Sequence, residues 1–266
     1  MKKVLIFLPV LCIILSVPLI NLAGLCREPS KKQKVDIKEG VELLERYDTF
    51  DPAKTEKKII ASNNKKSLRY GGTAAEIEQV LKKLEKGETT YKKIFADVCI
   101  AGDSLMNGLE VYYVLNSNKL VTQVSATLNH LTQNIEKIVG MNPPVLILHY
   151  GINHIGVGEQ YKEKFVNDYS EIITELKMRL PDTRIIVSGL FPVKRSVAVA
   201  ARFGKIEEYN TALSDMCKKL EVEFLDSSPA LKAHPECYGG DGIHLSKTFY
   251  EKYWLKFIVE EKGIVG

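Results

Sequence analysis

Asp97-Val98-Cys99-Ile100-Ala101-Gly102-Asp103-Ser104-Leu105 begins as an unbroken apolar run, stops at a glycine and a carboxylate, and then enters a helical pattern. A run with no polar alternation reads as a strand buried on both faces, and such strands belong to parallel sheets covered by helices. Working outward from 98–101, similar runs recur at residues 120–124, 145–150, 184–188 and 222–225. Longer amphipathic patterns separate them, around 105–115, 131–139, 160–180 and 205–220. The third is the clearest, with Tyr161, Phe165, Tyr169, Ile172, Leu176 and Leu180 on one stripe. A last helix over 246–260 stacks Leu245, Phe249, Tyr253 and Phe257. These repeated βα units predict an α/β fold, a five-stranded parallel sheet between two helical layers. In such sheets the functional residues gather beyond the carboxyl ends of the strands.

The flanks add accessory segments. Thr73 and Glu76 form a capping-box pattern, which predicts a helix running to about Lys86, with Gly87 ending it and Ile77, Val80, Leu81 and Leu84 on its packed face. Residues 27–72 read as a polar juxtamembrane linker with a short helix around 41–47, and residues 73–266 as the main domain. Residues 1–26 open with Lys2 and Lys3 and continue as an uncharged apolar stretch over 4–25, long enough to cross a bilayer as one transmembrane helix. Asn21-Leu22-Ala23 and Ala23-Gly24-Leu25 fit a signal-cleavage site poorly, and Leu25 before Cys26 fits a lipoprotein signal poorly. The expectation is an uncleaved signal anchor with the domain outside the cytoplasm; a cleaved segment would secrete the same domain. Arg27, Lys31, Lys32 and Lys34 pull the other way, since basic residues favour the cytoplasmic side.

The 266 residues, 45% hydrophobic and 26% charged, have the composition of a globular chain with a sizeable core. The net charge of +4 is concentrated at the amino end: residues 1–35 carry +5 and the rest −1. That balance gives no support to a nucleic-acid surface. Five cysteines do not make a disulfide framework; a Cys217–Cys237 pair stays open, and apolar filler is the expected role for most of them.

Three stretches carry residues suited to chemistry. Ser104 stands where the first strand turns into its helix, close to free helix amides that can hold an oxyanion; helix capping is the plain alternative. Asn153, in Tyr150-Gly151-Ile152-Asn153, ends the third strand at the same edge. Its amide can donate to developing negative charge or stabilise its own loop, and Gly151 would let the backbone approach a substrate. Asp241 and His244, in Asp241-Gly242-Ile243-His244, are spaced so that a carboxylate in a turn can orient an imidazole; an ordinary Asp-Gly turn is the alternative. His149, His154, Asp241 and His244 could also be weighed as metal ligands, but they lack the spacing of a zinc site and leave the serine unexplained. No metal and no cofactor are expected. Residues 191–202 form a long connection with Lys194, Arg195 and Arg202, read as a solvated loop, with a lid or a rim for anionic substrates as the alternatives.

Together these stretches resemble the SGNH hydrolase superfamily of GDSL-type esterases and lipases, in a membrane-anchored bacterial form, over residues 97–260. The resemblance implies a flavodoxin-like α/β/α sandwich. It implies Ser104 as nucleophile, Asp241 and His244 as acid and base, and an oxyanion hole from Ser104, Ser125 and Asn153. Asp103, Gly151 and His154 are its candidate substrate contacts. Two positions depart from the family pattern: Ser125 stands where a glycine is usual, and His154 where an aspartate commonly follows the asparagine. The implied activity is a serine esterase acting on acyl esters of carbohydrate, acetyl esters among them. An O-acyltransferase on envelope polysaccharide and a non-catalytic polysaccharide-binding module are the alternatives.

Overall fold

The computed structural model describes residues 71–194 and 201–266. The expected transmembrane helix at 1–26, the short helix at 41–47, nearly all of the 27–72 linker and Arg195 lie outside the described residues. Among the described residues no helix is long and apolar enough to cross a membrane.

Five strands form one sheet: β1 (Val98–Gly102), β2 (Leu120–Thr122), β3 (Val145–His149), β4 (Arg184–Ser188) and β5 (Glu223–Leu225). All pairings are parallel, in the order β2-β1-β3-β4-β5. Every residue of β1 and β3 is buried, which is why both runs are apolar throughout. Gly102 pairs with both Thr122 and His149, so the carboxyl ends of β1, β2 and β3 stand level. The loops that follow them emerge side by side. The chain turns away from β1 in opposite directions to reach β2 and β3, which opens a crevice at β1.

The helices are α1 (Ala74–Glu85), α2 (Tyr91–Ile94), α3 (Ser104–Val111), α4 (Leu128–Gln133), α5 (Ile135–Met141), α6 (Glu159–Arg179), α7 (Ile206–Leu220) and α8 (Ser228–Lys232), then a π-helix (Phe249–Trp254) that runs into α9 (Leu255–Lys262). On one side, α4, α5 and α7 pack against α6. On the other, α3 lies on β1 and β2, the π-helix packs on α8, and α9 packs on α1. Both bonds of the Thr73–Glu76 capping box are made, which fixes the start of α1.

Several elements differ from the sequence expectation. The pattern at 131–139 is two helices, because Asn134 leaves helical geometry (φ −107°, ψ 7°) and donates from Nδ2 to the His130 carbonyl. Tyr161 is exposed rather than part of the buried stripe of α6. In the last segment the i→i+5 geometry of the π-helix rotates the buried face. Phe249, Tyr250, Trp254, Leu255, Ile258 and Val259 are buried, while Tyr253 and Phe257 are only partly covered. Cys217 and Cys237 are buried and unpaired, as is Cys99.

Candidate active site

Ser104 is the first residue of α3, and Asp103, not Ser104, caps the helix: Asp103 Oδ1 accepts the Leu105 amide at 3.0 Å. The serine hydroxyl is therefore left for other partners, and its own amide has no acceptor among the described residues, as expected for a first-turn amide. The Asp103 amide donates to the His149 carbonyl at 3.2 Å, tying the Ser104 turn to the end of β3. Asp103 is fully buried, out of reach of substrate. Its Oδ2 has no partner in hydrogen-bonding geometry, although the Gly151 and Ile152 amides lie close enough to favour the charged form. Burial prevails and pushes its carboxyl up to about 7.

Asp241 and His244 sit on a small hairpin closed by the antiparallel bridge Tyr238–Leu245. Asp241 Oδ1 accepts the amides of Ile243 and His244, each at 2.9 Å, and so shapes the turn. Its Oδ2 lies 2.5 Å from His244 Nδ1. That bond, more than the turn amides, holds the Asp241 carboxyl down at about 2. A carboxylate on Nδ1 fixes the tautomer with the proton there, leaving Nε2 as an acceptor. His244 Nε2 stands 3.0 Å from Ser104 Oγ. Hydroxyl, imidazole and carboxylate thus form a continuous hydrogen-bonded line across 140 residues of sequence separation.

The oxyanion candidates come from the two strands that flank β1. Ser125, in the β2 loop, has φ 59°, the left-handed backbone that glycine adopts freely. This explains why glycine suits the position, and the serine takes the same conformation. Its amide has no acceptor among the described residues. Asn153 is exposed and donates from Nδ2 to the Ala126 carbonyl at 2.9 Å. The bond joins the β3 loop to the β2 loop instead of stabilising the asparagine's own turn. It uses one of two amide protons.

Gly151 and His154 serve packing. Gly151 has φ 144°, and a Cβ there would stand 2.6 Å from Leu190 and 3.0 Å from Phe165, so the space at this glycine belongs to the core. His154 packs on Phe165, with ring centroids 5.1 Å apart, and its Nε2 accepts the first amide of α4, from Leu128, at 3.3 Å. His149 is buried, bonds Ser188 Oγ through Nδ1 at 3.2 Å, and is kept neutral by burial, which lowers it to about 3. Among the described residues no three His, Cys, Asp or Glu side chains gather in the manner of a metal site. Lys194 contributes its backbone: its amide donates to the Gly242 carbonyl at 2.8 Å and braces the histidine hairpin. Arg202 lies over the Phe203 ring.

Two tyrosines carry no motif signal yet support the site. Tyr238 donates to the Pro192 carbonyl at 2.7 Å, anchoring the hairpin to the segment after β4. Tyr250, fully buried, donates to the Leu105 carbonyl and holds α3 from below.

Among solved structures, the fold resembles a protein described as a GDSL-like lipase from Parabacteroides merdae, at 15% identity over 63% of this chain and 95% of the other, with a TM-score of 0.50. A GDSL-like lipase from Bacteroides thetaiotaomicron matches at 14% identity over 71% and 98%, with a TM-score of 0.48. An acetyl xylan esterase from Geobacillus stearothermophilus matches at 17% over 64% and 94%, with a TM-score of 0.44. No curated protein matches the chain. The family model for GDSL-like lipases and acylhydrolases matches residues 100–252, a span that contains Ser104, Ser125, Asn153, Asp241 and His244. The chain belongs to the GDSL-like lipase/acylhydrolase family and is a serine ester hydrolase.

Proposed function

We propose that this hydrolase cleaves acyl esters outside the cytoplasm through Ser104, His244 and Asp241, and the line Ser104 Oγ–His244 Nε2–His244 Nδ1–Asp241 Oδ2 is the observation that carries the reading. His244 Nε2 takes the hydroxyl proton as Ser104 Oγ attacks the ester carbonyl. Charge collects on the carbonyl oxygen, and in this reading the Ser104 amide, the Ser125 amide and the second Asn153 amide proton receive it. In related acyl-transfer enzymes each such donor is worth about 10²–10³ in rate. His244 returns the proton to the departing alcohol, then activates the water that releases the acyl group.

The side chains of His244 and Asp241 are 52% and 49% exposed. Water therefore reaches the base directly, which favours hydrolysis over transfer to a second alcohol. The apolar stretch at residues 4–25 supports the extracytoplasmic placement, and carbohydrate esters are the substrate class that such a placement favours.

The test is turnover of p-nitrophenyl acetate by the full chain and by Ser104→Ala, together with labelling by a fluorophosphonate. The expected result is loss of at least about 10³ in kcat and of all labelling in the variant. Undiminished turnover by Ser104→Ala would remove the serine from the mechanism. Placement is tested with a carboxyl-terminal alkaline phosphatase fusion, active only when exported; an inactive fusion that is fully expressed would put the domain in the cytoplasm.

A further inference from the structure

A cavity of about 210 Å³ opens at the nucleophile, with Ser104 and His244 at one end. It follows α3 along the face that Ser104 itself occupies, past Asn107 and Gly108 to Val111 and Tyr112. Those positions fall three, four, seven and eight residues after the serine, one helical stripe. Val124, Leu245 and Tyr250 complete the lining. The Tyr250 hydroxyl points away to the Leu105 carbonyl, and the Asn107 side-chain amide is engaged with Thr122 Oγ1 at 3.3 Å. Polar chemistry is thus concentrated at the serine end, and beyond it the lining is mainly apolar, with the Tyr112 phenol as the polar group at the far end. Val111 and Val124 are 60% and 64% exposed, so both have apolar surface to lose to a ligand.

Building on the catalytic reading above, we infer that this furrow holds the acyl chain of the substrate, and that the enzyme prefers acyl groups longer than acetyl. The acyl group is the part of the ester that stays bonded to Ser104 Oγ after the alcohol has gone. A mainly apolar stripe that begins at Ser104 suits the group that remains. The alcohol must leave from, and the hydrolytic water must enter at, the solvent-open side of His244. The furrow runs about 10 Å from Ser104 to Val111 at the helical rise per residue, room for a medium-length chain.

Each methylene taken from water raises kcat/KM by about fourfold when fully buried. The experiment measures the full-length chain on p-nitrophenyl esters from acetate to dodecanoate, and in parallel on acetate esters of alcohols of rising length. The expected hexanoate-to-acetate ratio of kcat/KM is about tenfold or more, with a plateau once the furrow is filled. Val111→Asp and Val124→Asp, which place a charge in the lining, are expected to cut that ratio at least about fivefold. Met178→Asp, on an exposed part of α6, is expected to leave it unchanged. A flat or acetate-favouring profile with turnover still dependent on Ser104 would overturn the acyl furrow and leave the catalytic reading standing. So would length dependence confined to the alcohol series, or a ratio unmoved in both aspartate variants. Turnover of the whole acyl series that persists in Ser104→Ala would take down the catalytic reading, and the furrow with it.

Discussion

Gly108→Ala sets two effects of known size against each other. Gly108 lies inside α3, where replacing glycine by alanine stabilises a helix by about 0.8–1.0 kcal/mol. A Cβ at this position would stand 2.7 Å from Tyr250 Cε2 and 2.8 Å from both Cζ and the hydroxyl oxygen. The ring cannot swing aside: Tyr250 is fully buried, its neighbours include Phe249 and Trp254, and its hydroxyl bonds the Leu105 carbonyl. Overpacking of a well-filled core costs about 1–3 kcal/mol, which offsets the propensity gain, and the net expectation is a loss of up to about 2 kcal/mol. The strain has one easy outlet, which is to lift α3 off the ring. Ser104 begins α3, whereas the His244 hairpin is braced elsewhere by Lys194 and Tyr238. A lifted helix would therefore stretch the Ser104–His244 bond, and misplacement of about 1 Å can cost about 10² in rate. Chemical denaturation and p-nitrophenyl ester kinetics read the two consequences. An alanine variant that is about 1 kcal/mol more stable with unchanged kcat would show that helix propensity alone governs this position.

Three further outcomes follow from the site. Asp241→Asn keeps an oxygen for the Ile243 and His244 amides but removes the carboxylate from Nδ1, so kcat should fall by about 10³ with little change in KM; a fall of less than threefold would separate Asp241 from the chemistry. Ser125→Gly should retain activity and stay within about 1 kcal/mol of the parent, because only the backbone amide is used, whereas Ser125→Val should lower both, since a β-branched residue strains at φ 59°; loss of activity in the glycine variant would implicate the hydroxyl. His149, lowered by burial to about 3 against an ordinary value of 6.5, contributes stability above pH 6.5 that is lost as pH falls toward 3, so the parent should lose about 2 kcal/mol more than His149→Gln between pH 7.5 and 5. Asp103, raised to about 7, works in the opposite sense over an overlapping range in both proteins, so the difference between them isolates the histidine, and equal slopes in denaturation midpoint would show that His149 is not buried neutral.

The strands and the three chemical stretches were legible because their signals are local. A strand buried on both faces has to be apolar throughout, and β1 and β3 satisfy that at every residue. Asp241 and His244 are three residues apart, so one turn brings them together. What stayed hidden depends on geometry that a 3.6-residue period cannot express. The π-helix buries Tyr250 and Trp254 and leaves Tyr253 and Phe257 only partly covered, so a regular stripe found Leu245 and Phe249 but missed Tyr250 and Trp254. Helix capping competed with catalysis as a reading of Ser104 because both need a serine at a helix start; only the Asp103 bond to Leu105 assigns the cap. Val111 and Val124, thirteen residues apart on different elements, look like ordinary surface valines until β1 and β2 are paired.

Strand order, rather than chain order, is what turns these residues into one site. The proposed nucleophile follows β1, the strand whose neighbours are β2 and β3, so the amide of Ser125 arrives from one side and that of Asn153 from the other. The Asn153 bond to the Ala126 carbonyl closes the two loops around Ser104. The proposed base, His244, comes from far along the chain. Its hairpin docks on the segment after β4, through Lys194 to Gly242 and Tyr238 to Pro192, which places it beyond the β3 loop. Each part is therefore referenced to the same sheet edge through hydrogen bonds to the backbone, and the Ser104–His244 bond spans two anchorages that do not depend on it. Such a site is organised before substrate arrives, which is the condition under which fixed amides and a fixed imidazole lower a barrier instead of spending that energy on their own rearrangement. The same side chains on a sheet with β2 placed outside β4 would leave Ser104 with one flanking loop, and the oxyanion with donors on one side only.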